Sequence, residues 1–175
     1  MNILAYALTA FLVLLSGTAN SDERMLPHIE WLVANSDFEY NGEPLPSVEY
    51  ISFELMQVAV YGPETVAQAE YNGSTLPTAH AYYDDERDTI VLQTGFDWDS
   101  MDTMHIMVHE LVHYLQDING ITDPCLGNLE PEAYQLHDQW MVEHNSPAER
   151  PNMLFVYMLR MSCLEDPWYG HDHAR

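Results

Sequence analysis

The sequence contains an HExxH motif, His109-Glu110-Leu111-Val112-His113, within a segment of helical periodicity. Residues four apart on an α-helix lie above one another, so His109 and His113 share one face. The same segment has apolar residues at helical spacing, namely Met104, Val108, Leu111 and Leu115. The pattern therefore predicts an amphipathic helix that ends near Gln116, with an apolar stripe in the core and both imidazoles on another face.

Two imidazoles arranged in this way can bind one metal ion, and neutral imidazole is a good ligand for zinc. Glu110 is displaced by about 100° around the helix, so its carboxylate lies beside the metal rather than on it. There it can accept the proton of a water molecule that the metal polarises. We therefore predict one bound Zn²⁺, with His109 and His113 as ligands and Glu110 as general base. His105 is on the same face but too far along the helix to reach the same ion. We interpret it as a residue that lines the cleft or supports a ligand, and a plain surface role is the alternative.

The stretch HELVHYLQ (residues 109–116), after a predicted strand–turn–strand, resembles the active-site helix of the zincin metallopeptidases. The resemblance covers about residues 80–145 and extends to small exported bacterial proteins of unassigned function. In gluzincins the third ligand is a Glu on the next helix, and Glu132, nineteen residues after His113, fits that pattern. Glu130 is the alternative third ligand. The family's usual acidic partner is replaced here by Leu136, so Asp138 or a backbone carbonyl is expected to orient a histidine.

A hydrolase of this type also needs a hydrogen-bond donor for the oxyanion that forms when water attacks a carbonyl. The candidates are Tyr83, Tyr134, His137 and Tyr157. The family resemblance implies a Tyr or His downstream of the third ligand. It favours Tyr157, on the last predicted helix, as this catalytic residue.

The first nineteen residues have the composition of a secretory signal peptide. An apolar run over residues 3–15 is followed by Gly17 and Ala19, which suit the small-residue cleavage site. The alternative is an uncleaved membrane anchor, but the run is shorter than the roughly 20 residues that a spanning helix needs. We expect cleavage after Ala19, a single domain over residues 20–175, and a periplasmic or secreted protein with no stable membrane association.

The charge of the chain restricts its possible binding partners, and its cysteine content predicts a disulfide bond. The chain has 28 acidic and 5 basic residues, a formal charge of −23, which excludes nucleic-acid binding through a basic surface. The hydrophobic content of 47% is enough for a folded core. Cys125 and Cys163 are the two cysteines, and in an oxidising compartment they are expected to form a disulfide bond; two free thiols are the alternative.

Local patterns predict strands over Val48–Ser52, His80–Tyr83 and Thr89–Gln93, the last two joined by a charged turn. Further helices are indicated over 28–37, 53–61, 131–144 and 152–162, while 64–78 is ambiguous. We expect an α+β, zincin-like fold: a small, mostly antiparallel sheet packed on the HExxH helix, with two or three further helices. The predicted function is an exported zinc-dependent hydrolase, a metallopeptidase acting on a peptide or protein. The alternative is a metal-binding module without catalysis.

Overall fold

The computed structural model describes residues 22–165. The predicted signal segment, residues 1–19, lies outside them. The strands are β1 (Ser47–Ile51), β2 (Ala81–Asp84) and β3 (Thr89–Gln93). The α-helices of this part of the chain are α1 (Leu26–Ala34), α2 (Phe53–Tyr61), α3 (Pro63–Asn72), α4 (Met101–Ile118), α5 (Glu130–Glu143) and α6 (Met153–Glu165). None of them is long and apolar enough to cross a lipid bilayer.

The strands form one mixed sheet in the order β1-β3-β2. β2 and β3 make the predicted antiparallel hairpin, and Arg87 in its turn pairs with Asp84 and Glu49. β1 runs parallel to β3, which requires a long connection, and α2, α3 and β2 provide it. The sheet is therefore mixed rather than mostly antiparallel as predicted, because one strand pair is parallel and the other antiparallel.

The long helix α4 lies at the centre of the core. Its buried apolar residues pack with Ile90 and Leu92 of β3, while Val91 points to the opposite face of the sheet. Ser100 caps the start of α4 by accepting a hydrogen bond from the backbone N–H of Asp102. Packing on one side and a defined cap fix the helix that carries the HExxH motif.

α5 packs along α4 and begins at Glu130, with a proline in its first turn as predicted. A disulfide bond joins Cys125 to Cys163, with Cα atoms 5.8 Å apart, and confirms the predicted pairing. It ties the short 3-10 turn Leu126–Asn128, directly before α5, to the end of α6. The start of α5 is thus held both by α4 and by this covalent link.

The α+β class is confirmed, but five α-helices accompany α4 in the described residues rather than two or three. Local patterns indicate α1 and α2, over 28–37 and 53–61, whereas α3 falls in the ambiguous segment 64–78; all three are only nine or ten residues long. Helices this short depend on tertiary packing more than on their own sequence, so their patterns are weak. Likeness to the zincin fold remains a prediction.

Candidate metal site between α4 and α5

The packing of α5 on α4 brings the acidic start of one helix to the HExxH face of the other. His109 and His113 lie on this face with their rings edge to face, the centroids 4.9 Å apart. Glu130, the first residue of α5, is directly opposite them. The site is therefore built where two helices meet, one contributing its middle and the other its N-terminus.

The three side chains converge through their polar atoms. His109 Nε2 is 3.3 Å and His113 Nε2 is 3.6 Å from the Glu130 carboxylate. The two Nε2 atoms are 3.3 Å from each other. A tetrahedral zinc ion with bonds of about 2.0–2.1 Å holds its ligand atoms about 3.3–3.4 Å apart. The donor atoms of His109, His113 and Glu130 therefore fit one zinc ion, and they form a group able to hold a metal.

The charges within this group favour a cation. Burial lowers the pKa of His113 to about 4, so its imidazole is neutral at neutral pH. Burial opposes charge on His109 as well, but the carboxylate of Glu130 raises its pKa. Burial acts to raise the pKa of Glu130, but His109 and His113 together lower it by a larger amount. A carboxylate thus faces imidazole nitrogens in a buried setting, which suits a metal that takes nitrogen and oxygen ligands.

Glu110 lies beside this group and belongs to the same buried region, since its side chain is only 6% exposed. Burial raises the pKa of its carboxyl to about 7, in spite of the opposing positive charge of His109. The backbone of Tyr83 in strand β2 acts against this shift and favours the ionised form of the carboxyl. Glu110 is therefore next to the candidate metal ligands without being one of the three converging groups.

A cavity of about 570 Å³ opens over the site. Its walls come from the end of α2, strand β2 and the segment before it, α4, the start of α5, and Phe155 of α6. Five carboxylates line it, and no arginine from the described residues does; they are Asp85, Glu110, Asp117, Asp123 and Glu130. Val60, Ile121 and Phe155 add exposed apolar surface. The cavity therefore combines acidic and apolar walls around the converging histidines.

The structure does not bring Glu132, the preferred third ligand, to the two histidines. Its side chain is exposed and lines a different cavity, of about 950 Å³, together with Gln135 and Arg160. The Glu132 carboxylate accepts a hydrogen bond of 3.1 Å from Gln116 Nε2. Glu130, which was the alternative, is the acidic residue in the group.

Tyr157, the preferred oxyanion donor, is 58% exposed and does not line the cavity. The three other candidates from the sequence, Tyr83, Tyr134 and His137, do line it. The ring of Tyr134 lies 4.5 Å from that of His109, and the ring of His137 lies 5.7 Å from it, both measured between centroids. Burial raises the pKa of Tyr134 to about 12, so its hydroxyl keeps its proton at neutral pH.

The structure also shows where the remaining residues singled out from the sequence lie. His105 contacts the site indirectly, because its Nδ1 lies 2.7 Å from His137 Nε2 and the two rings stack. Tyr83 lines the cavity, and its hydroxyl lies within hydrogen-bonding distance of Asp88 and Asp117. Asp138 forms an ion pair with Arg150 and is therefore not the residue that orients a ligand histidine.

Gln116 is the residue that contacts a candidate ligand histidine in this way, and the sequence did not predict its role. Its Oε1 lies 2.9 Å from His113 Nδ1. Two spacings in the sequence are consistent with the positions of Gln116 and Glu130. Glu130, Tyr134 and His137 follow an i, i+4, i+7 spacing on α5, and Gln116 is one turn beyond His113 on α4.

The fold and the site together define an α+β protein with a candidate metal site between two helices. The model of a domain family of unknown function, DUF6647, matches residues 18–166, and the chain belongs to that family. Comparison with curated proteins and with solved structures gives no match. Because the family carries no assigned activity, function has to be argued from the side chains of the site.

Proposed function

We propose that the protein is a zinc-dependent hydrolase of the metallopeptidase class, with His109, His113 and Glu130 as the zinc ligands. The observation that carries the proposal is the spacing of the three donor groups, 3.3, 3.3 and 3.6 Å. Two imidazoles and one carboxylate are a donor set found in catalytic zinc sites, which leave the fourth position to water or substrate.

Zinc, when bound, acts as a Lewis acid and lowers the pKa of water toward about 7. Glu110 is placed to accept the proton of the attacking water, since it is buried beside the ligands and is not one of them. It can later return that proton to the leaving amine, as a general acid does. Metal binding alone does not require this carboxylate, so its position supports an enzyme over a metal-binding module.

Tyr134 replaces Tyr157 as the proposed oxyanion donor. It lines the cavity, it contacts the ring of His109, and its hydroxyl remains protonated at neutral pH. A donor that is already oriented stabilises the negative charge that develops on the substrate oxygen.

Strand β2 supports a peptide substrate. Among the described strands it pairs only with β3, and it forms one wall of the cavity. A strand edge of this kind can bind an extended peptide through main-chain hydrogen bonds. Export is part of the proposal as well, because a disulfide bond is typical of proteins in oxidising compartments.

The test begins with metal analysis of protein purified without chelator, where we expect close to one zinc per chain. Glu110→Gln should keep the metal, because the amide matches the carboxylate in size but cannot accept a proton at neutral pH. Peptide cleavage, profiled with and without chelator, should fall by roughly 10²–10⁴-fold in this variant. Zinc binding without any chelator-sensitive cleavage would instead favour the non-catalytic module. Loss of zinc from Glu110→Gln would contradict its role as base.

A further inference from the structure

Gln116 is a buried side chain, 2% exposed, between α4 and the entry to α5. Its amide makes three hydrogen-bonding contacts. Oε1 lies 2.9 Å from His113 Nδ1, and Nε2 donates to the carbonyl of Leu129 and to the Glu132 carboxylate, each at 3.1 Å. One side chain thus connects a candidate metal ligand to the residue that directly precedes another ligand, Glu130.

These contacts fix which way the amide points. The Leu129 carbonyl and an ionised Glu132 can only accept hydrogen bonds, so the amide nitrogen must face them. The amide oxygen must then face His113, and an oxygen without a proton can only accept. His113 therefore has to carry its proton on Nδ1 and donate it to Gln116. Its Nε2 is left with the free lone pair, on the side where His109 and Glu130 converge.

We propose that Gln116 is a positioning residue that sets the tautomer and ring orientation of His113 for metal binding. This inference rests on the proposed zinc site. Gln116 also couples His113 to the start of α5 through Leu129, so both helices present their ligands together. Partners of this kind fix the orientation of metal-binding histidines and increase their basicity.

His109 offers an internal contrast. Its Nδ1 is buried and has no hydrogen-bond partner among the described residues. Within residues 22–165, this kind of contact therefore fixes the tautomer of His113 and not that of His109. Glu132 belongs to the same series of contacts. It is not a ligand in this proposal; its carboxylate accepts a hydrogen bond from the Gln116 amide, which in turn contacts His113.

The first test uses the wild-type protein without metal. Long-range ¹H–¹⁵N correlation of the histidine side chains at neutral pH reports which ring nitrogen carries the proton. We expect His113 in the Nδ1–H form, with its signal identified by its loss in His113→Gln. Free imidazole side chains favour the other tautomer, so an Nε2–H form of His113 would overturn the proposal whatever the variants do.

The second test measures zinc affinity by competition with a chromophoric chelator. Gln116→Met keeps the length of the side chain but removes all three contacts, and zinc should bind about 10–100-fold more weakly. Gln116→Glu should also weaken binding, because its carboxylate would face two acceptors, the Glu132 carboxylate and the Leu129 carbonyl. Adding Glu132→Gln to that variant restores a donor facing the new carboxylate, and part of the affinity should return, since the carboxylate still faces the Leu129 carbonyl.

The controls distinguish a positioning role of Gln116 from a contribution to stability alone. They also distinguish failure of this inference from failure of the zinc site. Melting of the metal-free variants shows the structural contribution of Gln116. A lower melting temperature with unchanged zinc affinity, or no recovery in the double variant, would overturn the positioning role. If wild type binds zinc and Gln116→Met binds it equally well, only this inference fails. If wild type binds no zinc, the proposed function fails with it.

Discussion

Glu130 and Glu132 are two residues apart at the start of α5, and a helix turns about 200° over that distance. One carboxylate consequently meets the histidines, and the other faces a separate cavity and Gln116. The chemistry of the two side chains is identical, so their difference is one of position alone. The two residues therefore provide a matched pair for testing the metal site.

Glu130→Gln should reduce zinc affinity by more than the roughly 100-fold that the loss of an outer hydrogen-bond partner costs, because an amide is a poor zinc ligand. Glu132→Gln is the control, since it retains an oxygen that can accept from Gln116 and should still bind one zinc per chain. Calorimetric titration with zinc measures both. The reverse result, with affinity lost only in Glu132→Gln, would restore Glu132 as the third ligand.

The sequence was sufficient to propose His109, His113 and Glu110, because the geometry of a single helix fixes their relative positions. It was not sufficient to choose between Glu130 and Glu132. That choice depends on where α5 begins and how it rotates against α4, and both follow from tertiary packing. The role of Gln116 was hidden for the same reason, since two of its three contacts are to residues on or near another helix.

At the scale of elements, the approach to α5 depends on close contact between the turn Leu126–Asn128 and helix α6. Gly127 has no space for a side chain there, because a Cβ would lie 2.3 Å from the Leu159 carbonyl oxygen. The disulfide Cys125–Cys163 crosses the same interface. The turn, α6 and the start of α5 therefore form one unit that is held covalently.

Removal of this disulfide should lower the stability of the whole fold. It closes a loop with a sequence separation of 38 residues. The chain-entropy model gives about 4 kcal/mol for such a loop, and measured values are often smaller. Thermal melting with and without reductant tests this, and reductant should lower the wild-type melting temperature. The double variant Cys125→Ala, Cys163→Ala should melt lower and show no response to reductant. Equal melting of wild type in both conditions would contradict the prediction.

Element prediction from sequence succeeded where the pattern was local. The hairpin of β2 and β3 has alternating strands and a charged turn, and α4 has a cap and an apolar stripe. The parallel pairing of β1 with β3 could not be inferred, because it depends on how α2 and α3 carry the chain back across the sheet. Short strands carry no signal of their own for the direction of their partner.

At the scale of the whole molecule, a large acidic excess is combined with several half-buried or buried histidines whose pKa is lowered by burial. Three arginines of the described chain form ion pairs with carboxylates, namely Arg24, Arg87 and Arg150. In unstructured peptides, carboxyl side chains titrate near pH 4, whereas histidines titrate near pH 6.5. Between pH 7.5 and 5.5, protonation of histidines therefore has more influence on stability than protonation of most of the acidic surface.

His28 does not line the cavity over the metal site and can be tested separately. Its ring packs edge-on against Trp140, and the ring of His144 stacks on the same Trp140. Burial, together with the nearby His144, lowers the pKa of His28 below its usual value. Below about pH 6.5 the unfolded chain protonates this side chain while the folded chain resists protonation. The stability that neutral His28 provides is therefore present above pH 6.5 and is lost as the pH falls.

We predict that the stability advantage of wild type over His28→Gln declines as the pH is lowered from 7.5 to 5.5. The loss cannot exceed about 1.4 kcal/mol per pH unit, since a single proton is involved. Urea unfolding at constant ionic strength, with chelator present so that zinc binding does not contribute, measures the free energies. The lost contact with Trp140 adds the same offset at every pH, so only the slope reports on protonation. Parallel curves for the two proteins would show that His28 titrates alike in the folded and unfolded states.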